Sequence, residues 1–327
     1  MSEAASTPEV AEEAIQVQEV GPRDGLQNEP VRLSVDERLQ LIAALAASGL
    51  TRIEVGSFVR PDWIPQMANT DALVRLLPSL GLPANVRLSA LVPNRSGLAR
   101  AVEAGIREVA VCMSASESHN QKNTNKSIAA SLTEFEQLIP EARRQGLFVR
   151  GYISVVWGCP YEGKVDPRRA LQIAGRLRAV GCGEISLGDT IGVGNPRQTR
   201  DIVKLFAAGE SGTAPFTPGE LALHLHDTHG TALANVIAAW HLGVRIFDAS
   251  VGGTGGCPYA PGAAGNLATE DLVSMFEDMG VPTGVDLPKL IEAGGLAQRL
   301  VARKLPGRRL QAALGRIDKA ERKRAGS

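Results

Sequence analysis

The sequence predicts an α/β chain folded as a (β/α)8 barrel of the TIM type, with additional C-terminal helices. Three observations carry this reading. Short β-type runs alternate with helical stretches at roughly 25–40 residue spacing, which implies βαβ units and a parallel sheet. Eight such units fit within about 240 residues, which points to a closed barrel rather than an open sheet. No GxGxxG follows the first run, which argues against a dinucleotide-binding fold.

The eight runs, in order, are IQVQEV (15–20), RIEVGSF (52–58), VRLSALV (86–92), REVAVCM (107–113), LFVRGYISVV (147–156), GEISLGD (183–189), LALHLHD (221–227) and VRIFDASVG (244–252). Helical stretches lie between them at 36–49, 95–105, 133–146 and 167–181. Each of these ends in glycine just before the next strand, as a helix C-cap does. Residues 270–327 read as added helices with no linker before them. The expected organisation is therefore a disordered acidic tail (1–14), a catalytic barrel (15–290) and a C-terminal helical appendage (291–327).

Bulk properties exclude several function classes. The 327 residues carry 35 basic and 35 acidic side chains, so no global positive field exists to recruit nucleic acid. The apolar fraction of 44% is ordinary, and no apolar run reaches transmembrane length, so no membrane partner is expected. The N-terminus lacks the basic start and apolar stretch of a signal peptide. Four cysteines (Cys112, Cys159, Cys182, Cys257) lack CxxC spacing, which fits a reducing cytoplasm rather than a disulfide framework.

In a barrel of this type chemistry sits at the C-terminal ends of the strands. Chemically able residues fall there: Arg23 and Asp24 after strand one, Glu54 in strand two, Asp189 closing strand six, His224 and His226 in strand seven, and Cys257 and Asn266 after strand eight. His224 and His226 are two apart on a strand and share a face, so both imidazoles can converge on one ion. Asp24 supplies the carboxylate. Such a donor set suits a borderline to hard divalent ion, Mg²⁺ or Mn²⁺, with Zn²⁺ or Co²⁺ as alternatives. Arg23 next to Asp24 is either a structural ion pair or the group facing a developing oxyanion. Glu54, in an apolar run, needs a partner, for which Arg23 is available. Asp189 either caps the next turn or serves substrate binding and proton handling. The small-residue-rich loop 252–266 suggests a lid. Its Cys257 is an inert hydrophobe, a lid thiol or a nucleophile, and no nearby histidine supports a Cys–His dyad. Arg23, Gln27 and Asp189 are the candidate substrate contacts.

The stretches VGPRDGLQNE (20–29), IEVGSFV (53–59), GCPYEGKVDP (158–167), ISLGDTIGVGNP (185–196), HLHDTHGTALAN (224–235) and SVGGTGGCPYAPGAAGNLATED (250–271) together resemble the 3-hydroxy-3-methylglutaryl-CoA lyases. These belong to a metal-dependent barrel superfamily that includes isopropylmalate and homocitrate synthases. The resemblance spans residues 15 to 290. It implies that Asp24, His224, His226 and Asn266 hold the metal and that Arg23 neutralises the enolate of departing acetyl-CoA. It implies further that Glu54 and Asp189 are active-site acids and that Cys257 is the lid thiol. The implied reaction is cleavage of (S)-3-hydroxy-3-methylglutaryl-CoA to acetyl-CoA and acetoacetate, with leucine breakdown and ketone-body formation as its setting. His224 is the candidate for moving a proton to the acetyl-CoA carbon, through its free nitrogen or a water, and Asp24 or Asp189 the candidate base for the hydroxyl. The chain departs from the family pattern at His229, Thr231 and Trp157, and bulk at Trp157 is expected to reshape the acyl pocket. His229 is expected to be structural. Rival readings are a lyase for a related 3-hydroxy-3-alkylglutaryl-CoA, an acetyl-CoA-dependent Claisen-type synthase and a non-catalytic barrel. The glycine-rich loop and the lack of a long regulatory domain weigh against the synthase, and the intact ligand set against the non-catalytic barrel. Exposed appended helices suggest a homodimer.

Overall fold

The computed structural model describes residues 14–210, 212–256 and 265–325, with side chains described to residue 319. Eight parallel strands close into one barrel in sequential order: β1 (Gln16–Glu19), β2 (Arg52–Ser57), β3 (Arg87–Leu91), β4 (Glu108–Ser114), β5 (Phe148–Ser154), β6 (Glu184–Asp189), β7 (Leu221–Leu225) and β8 (Ile246–Ala249). The barrel closes where Gln16 to Glu19 pair with Ile246 to Ala249. Every run expected from the sequence contains one strand. The largest trim is at β8, where Val251–Gly253 leaves the sheet as a 3-10 turn.

Local chemistry explains where the helices begin. Ser34 accepts from the Glu37 amide while Glu37 reaches back to the Ser34 amide, a capping box that starts helix Val35–Ala47. Asp166 and Asn195 cap helices Pro167–Ala179 and Pro196–Ala208, each with proline at the first helical position. One connection is richer than the sequence suggested. A short helix, Glu117–Thr124, precedes helix Ile128–Arg144, because Ser116 and Ser127 each cap a separate start.

Two cores result. Between barrel and helices lies an aliphatic shell that includes Ile53, Val55, Val109, Val111, Val149, Ile185, Leu187 and Leu223. Inside the barrel, alternate strand positions carry Arg52 and Glu54, Arg150 and Tyr152, Glu184 and Ser186, then His224 and Asp248, all buried. Period-two alternation turns these residues inward together, where they neutralise one another. After β8 come helices Thr269–Asp278, Leu287–Leu300 and Arg308–Ala325. Helix Leu287–Leu300 packs against helix Val35–Ala47 and runs across residue 290. The tail at 1–13 lies outside the described residues.

Candidate metal centre and active site

The chain leaves β1 through a single π-type turn, Gly21–Gly25, in which the Gly25 amide bonds back to the Val20 carbonyl at 3.2 Å. The turn brings Arg23 and Asp24 over the barrel mouth. A cavity of about 780 Å³ opens there, lined by Arg23, Asp24, Gln27, Ser57, Cys112, Tyr152, His224 and His226 among others. Arg60, Trp63, Asn125 and Lys126 stand around it as well.

Asp24, His224 and His226 converge from two elements. Nε2 of His224 lies 3.3 Å from Nε2 of His226 and 3.8 Å from Oδ2 of Asp24; the third side of the triangle is 4.0 Å. A point about 2.2 Å from all three donor atoms therefore exists, which is a bond length divalent ions accept. The electrostatics suit a cation. Burial disfavours the Asp24 carboxylate, yet Arg23 and the two imidazoles hold its pKa well below the usual range. Burial, with His224 beside it, pushes His226 down to about 4, which leaves a neutral imidazole with a lone pair to donate. Nδ1 of His224 lies 3.1 Å from Oδ2 of Asp248. Despite its burial, Asp248 is held down to about 2 by Arg150 and His224. A carboxylate on Nδ1 puts the proton there and aims Nε2 at the ion site. These residues fit a divalent cation.

Asn266 is bridged to His226 and sits beside the triangle. Its amide nitrogen donates to Asp24 Oδ2 at 2.9 Å and to the Thr254 carbonyl at 3.1 Å. Coordination by Asn266 therefore requires its oxygen to turn inward, an exchange of atoms that leaves the shape of the side chain unchanged.

Arg23 is held by two acids and still lines the cavity. Its Nε donates to Glu54 at 2.7 Å and its Nη1 to Asp24 at 2.5 Å, with Cζ 5.4 Å from the centre of the Tyr152 ring. Glu54 lies beneath Arg23 and does not line the cavity. Burial raises its pKa against the pull of Arg23. Gln27 lines the cavity as expected of a substrate contact.

Two of the residues singled out in the sequence turn away from the cavity. Asp189 does not line the cavity: its two oxygens accept from the Val193 and Gly194 amides at 3.1 and 2.8 Å, so it holds the loop after β6. Its neighbours Gly188 and Thr190 line the cavity instead. Trp157 does not shape the acyl pocket either. Its indole is turned towards helix Pro196–Ala208, where it donates to Thr199 at 3.0 Å. His224 has Nδ1 on Asp248 and Nε2 towards the ion site, so of the two routes expected for its proton transfer, a free nitrogen or a water, the geometry leaves the water. His229 is exposed, as a structural residue can be. Cys257 lies outside the described residues.

Sequence reasoning missed Arg150, Tyr152 and Asp248. The signal was present: polar residues at alternate positions of β5, and an acid in β8 in register with His224.

Comparison with known proteins agrees with this geometry. The HMGL-like family model matches residues 14–296. A hydroxymethylglutaryl-CoA lyase of Pseudomonas mevalonii is 49% identical over 282 residues, covering 86% of this chain and 91% of that one. A 3-hydroxy-3-isohexenylglutaryl-CoA/hydroxymethylglutaryl-CoA lyase of Pseudomonas aeruginosa is 46% identical, covering 88% of this chain and 92% of its own. The crystal structure of the Bacillus subtilis HMG-CoA lyase superposes with a TM-score of 0.87 at 43% identity, over 92% of this chain and 98% of that one. The chain belongs to the HMGL-like family.

Proposed function

We propose that this chain is a lyase that cleaves 3-hydroxy-3-methylglutaryl-CoA to acetyl-CoA and acetoacetate. The observation that carries the reading is the Asp24–His224–His226 donor triangle sharing one cavity with the Arg23 guanidinium. Asp24, His224 and His226, joined by Asn266 with its oxygen turned inward, would hold Mg²⁺ or Mn²⁺. A divalent ion there supplies Lewis-acid activation of the substrate's tertiary hydroxyl and fixes its carboxylate.

The chain's own residues do the rest. The hydroxyl loses its proton, the bond between the carbinol carbon and the thioester methylene breaks, and the electron pair becomes an acetyl-CoA enolate. Asp24 is the base that takes the hydroxyl proton, since it stays ionised and Asp189 is engaged by the Val193 and Gly194 amides. Arg23 faces the thioester oxygen, where negative charge develops mainly in the transition state. Glu54 and Tyr152 fix Arg23 in place. Cys257 is the group proposed to close over the substrate. The enolate carbon then takes a proton by way of a water at the mouth.

A second reading, activity on 3-alkyl homologues, is favoured by the Pseudomonas aeruginosa relative's name and by Leu91, Phe135 and Ile153 on the cavity wall. A cytoplasmic homodimer working in leucine breakdown or ketone-body formation is consistent with this role. Met279 and Ile317, exposed near the C-terminal helices, offer apolar surface for a second copy. No helix among the described residues is long and apolar enough to cross a membrane. Purified protein with Mg²⁺ or Mn²⁺ and a reductant should release acetoacetate from 3-hydroxy-3-methylglutaryl-CoA. No acetoacetate under those conditions would sink the substrate assignment, and longer 3-alkyl substrates in the same assay decide the second reading.

A further inference from the structure

We propose that Arg150 is a positioning residue that fixes two parts of the active site at once, the metal ligand His224 and the enolate-facing Arg23. The inference rests on the function proposed above. Arg150 projects from β5 to the barrel axis, with its side chain only 4% exposed, and lines no cavity of the active site. Its guanidinium forks onto Asp248, Nη2 to Oδ1 at 2.6 Å and Nη1 to Oδ2 at 3.1 Å. The same Nη1 donates to the Tyr152 hydroxyl at 2.7 Å, and the Nε side lies 2.6 Å from Glu184.

Two arms leave this hub. In the first, Asp248 accepts from Ser186 and meets His224 Nδ1 at 3.1 Å. Because the fork fixes Asp248 in one orientation with Oδ2 against Nδ1, the imidazole is set to carry its proton on Nδ1 and to present a lone pair at Nε2. In the second, the Tyr152 hydroxyl accepts from Arg150, so its own proton is directed to Glu54 Oε2 at 3.2 Å. That same oxygen receives Arg23 Nε at 2.7 Å. A planar guanidinium can serve a carboxylate bidentately and a hydroxyl at once. An ammonium is a single point charge and cannot reproduce that geometry.

The arms can be separated experimentally in the full chain. Mn²⁺ affinity is measured without substrate, by electron paramagnetic resonance of the free ion. The His224 tautomer is read from ¹⁵N imidazole shifts of the metal-free protein, and kcat and KM are measured with 3-hydroxy-3-methylglutaryl-CoA. Asp248→Asn should weaken Mn²⁺ binding about 10–100-fold. Tyr152→Phe should leave Mn²⁺ affinity within about twofold and lower kcat with little change in KM. Arg150→Lys, and Arg150→Gln as a second variant, should do both and broaden or shift the Nδ1–H signal. Circular dichroism confirms the fold of each. Unchanged Mn²⁺ affinity and tautomer in both Arg150 variants would overturn the proposal, as would an Arg150 effect confined to one arm. If the substrate assignment itself fails, every variant and the parent are inactive alike, while Mn²⁺ affinity and the tautomer still decide the role of Arg150.

Discussion

Two sets of acids, half-buried at Asp24 and buried at the other three, flank the barrel mouth, and they are held in opposite ways. Asp24 and Asp248 face guanidinium and imidazole groups, and both have pKa values below the ordinary range in spite of burial. Glu19 and Glu270 sit a few residues away under the loop that follows β8, and their hydrogen bonds come from uncharged donors. Glu19 accepts from the Gly21 and Val251 amides at 2.7 and 2.9 Å and from Thr269. Glu270 accepts from the Gly252 amide at 2.7 Å. Burial pushes these two up to about 7 and about 8. Amide dipoles orient a carboxylate, but they do not replace the full charge a cation supplies. The first set stays ionised against cationic neighbours at the candidate ion site. The second is a near-neutral latch on the backbone, and Gly252, at φ +64°, supplies the left-handed turn it grips.

The comparison can be broken at four places, taken from the largest expected effect to the smallest. His226→Ala or Asp24→Asn should abolish Mn²⁺ binding in a titration and with it all measurable cleavage. Retained stoichiometric binding would mean that neither residue holds the ion. Arg23→Met should lower kcat about 10²–10³-fold while Mn²⁺ still binds, because only the group facing developing charge is lost. The latch predicts a pH effect instead. Glu19 and Glu270 have folded pKa values raised above 4.5, so the stability they contribute is complete below about pH 4.5 and is lost as pH rises through about 7 to 8. Urea unfolding at pH 5 and pH 8.5 should therefore show a drop that Glu270→Gln reduces by about 1–3 kcal/mol. An identical drop in the variant would mean that Glu270 ionises freely. Asp189→Asn should cost about 1 kcal/mol of stability, through its bond to the Gly194 amide, and change kcat by less than tenfold. A hundredfold loss of kcat would return Asp189 to the catalytic set.

Much of the fold was legible because strand and helix alternate with a clear period and the capping residues are local. The metal corner was legible for a related reason. His224 and His226 need only the two-residue repeat of one strand to share a face, and the chain direction places them at the mouth. The direction in which a strand-end side chain finally turns was not legible. Asp189 and Asp24 look alike in sequence, yet the amides of Val193 and Gly194 capture one while the turn Gly21–Gly25 delivers the other to the cavity. Trp157 went the same way, drawn outward by Thr199. Arg150, Tyr152 and Asp248 come together only when β5 and β8 face each other across a closed barrel, so their partnership spans 98 positions of chain.

The Glu270 latch also has a consequence for where this protein can be cut. A Cβ added at Gly294, in helix Leu287–Leu300, would stand 2.2 Å from the Glu270 carboxylate, so that helix is shaved to let the acid fit. The Gly307 amide bonds to the Gly252 carbonyl at 2.9 Å, and Leu310 is fully buried. The segment after the barrel is thus the wall at the back of the latch, and a chain cut before residue 310 is expected to lose that wall. Anyone trimming the chain, grafting its barrel or fusing a partner to its end should treat the C-terminal helices as a foundation of the active-site loop rather than as trailing sequence.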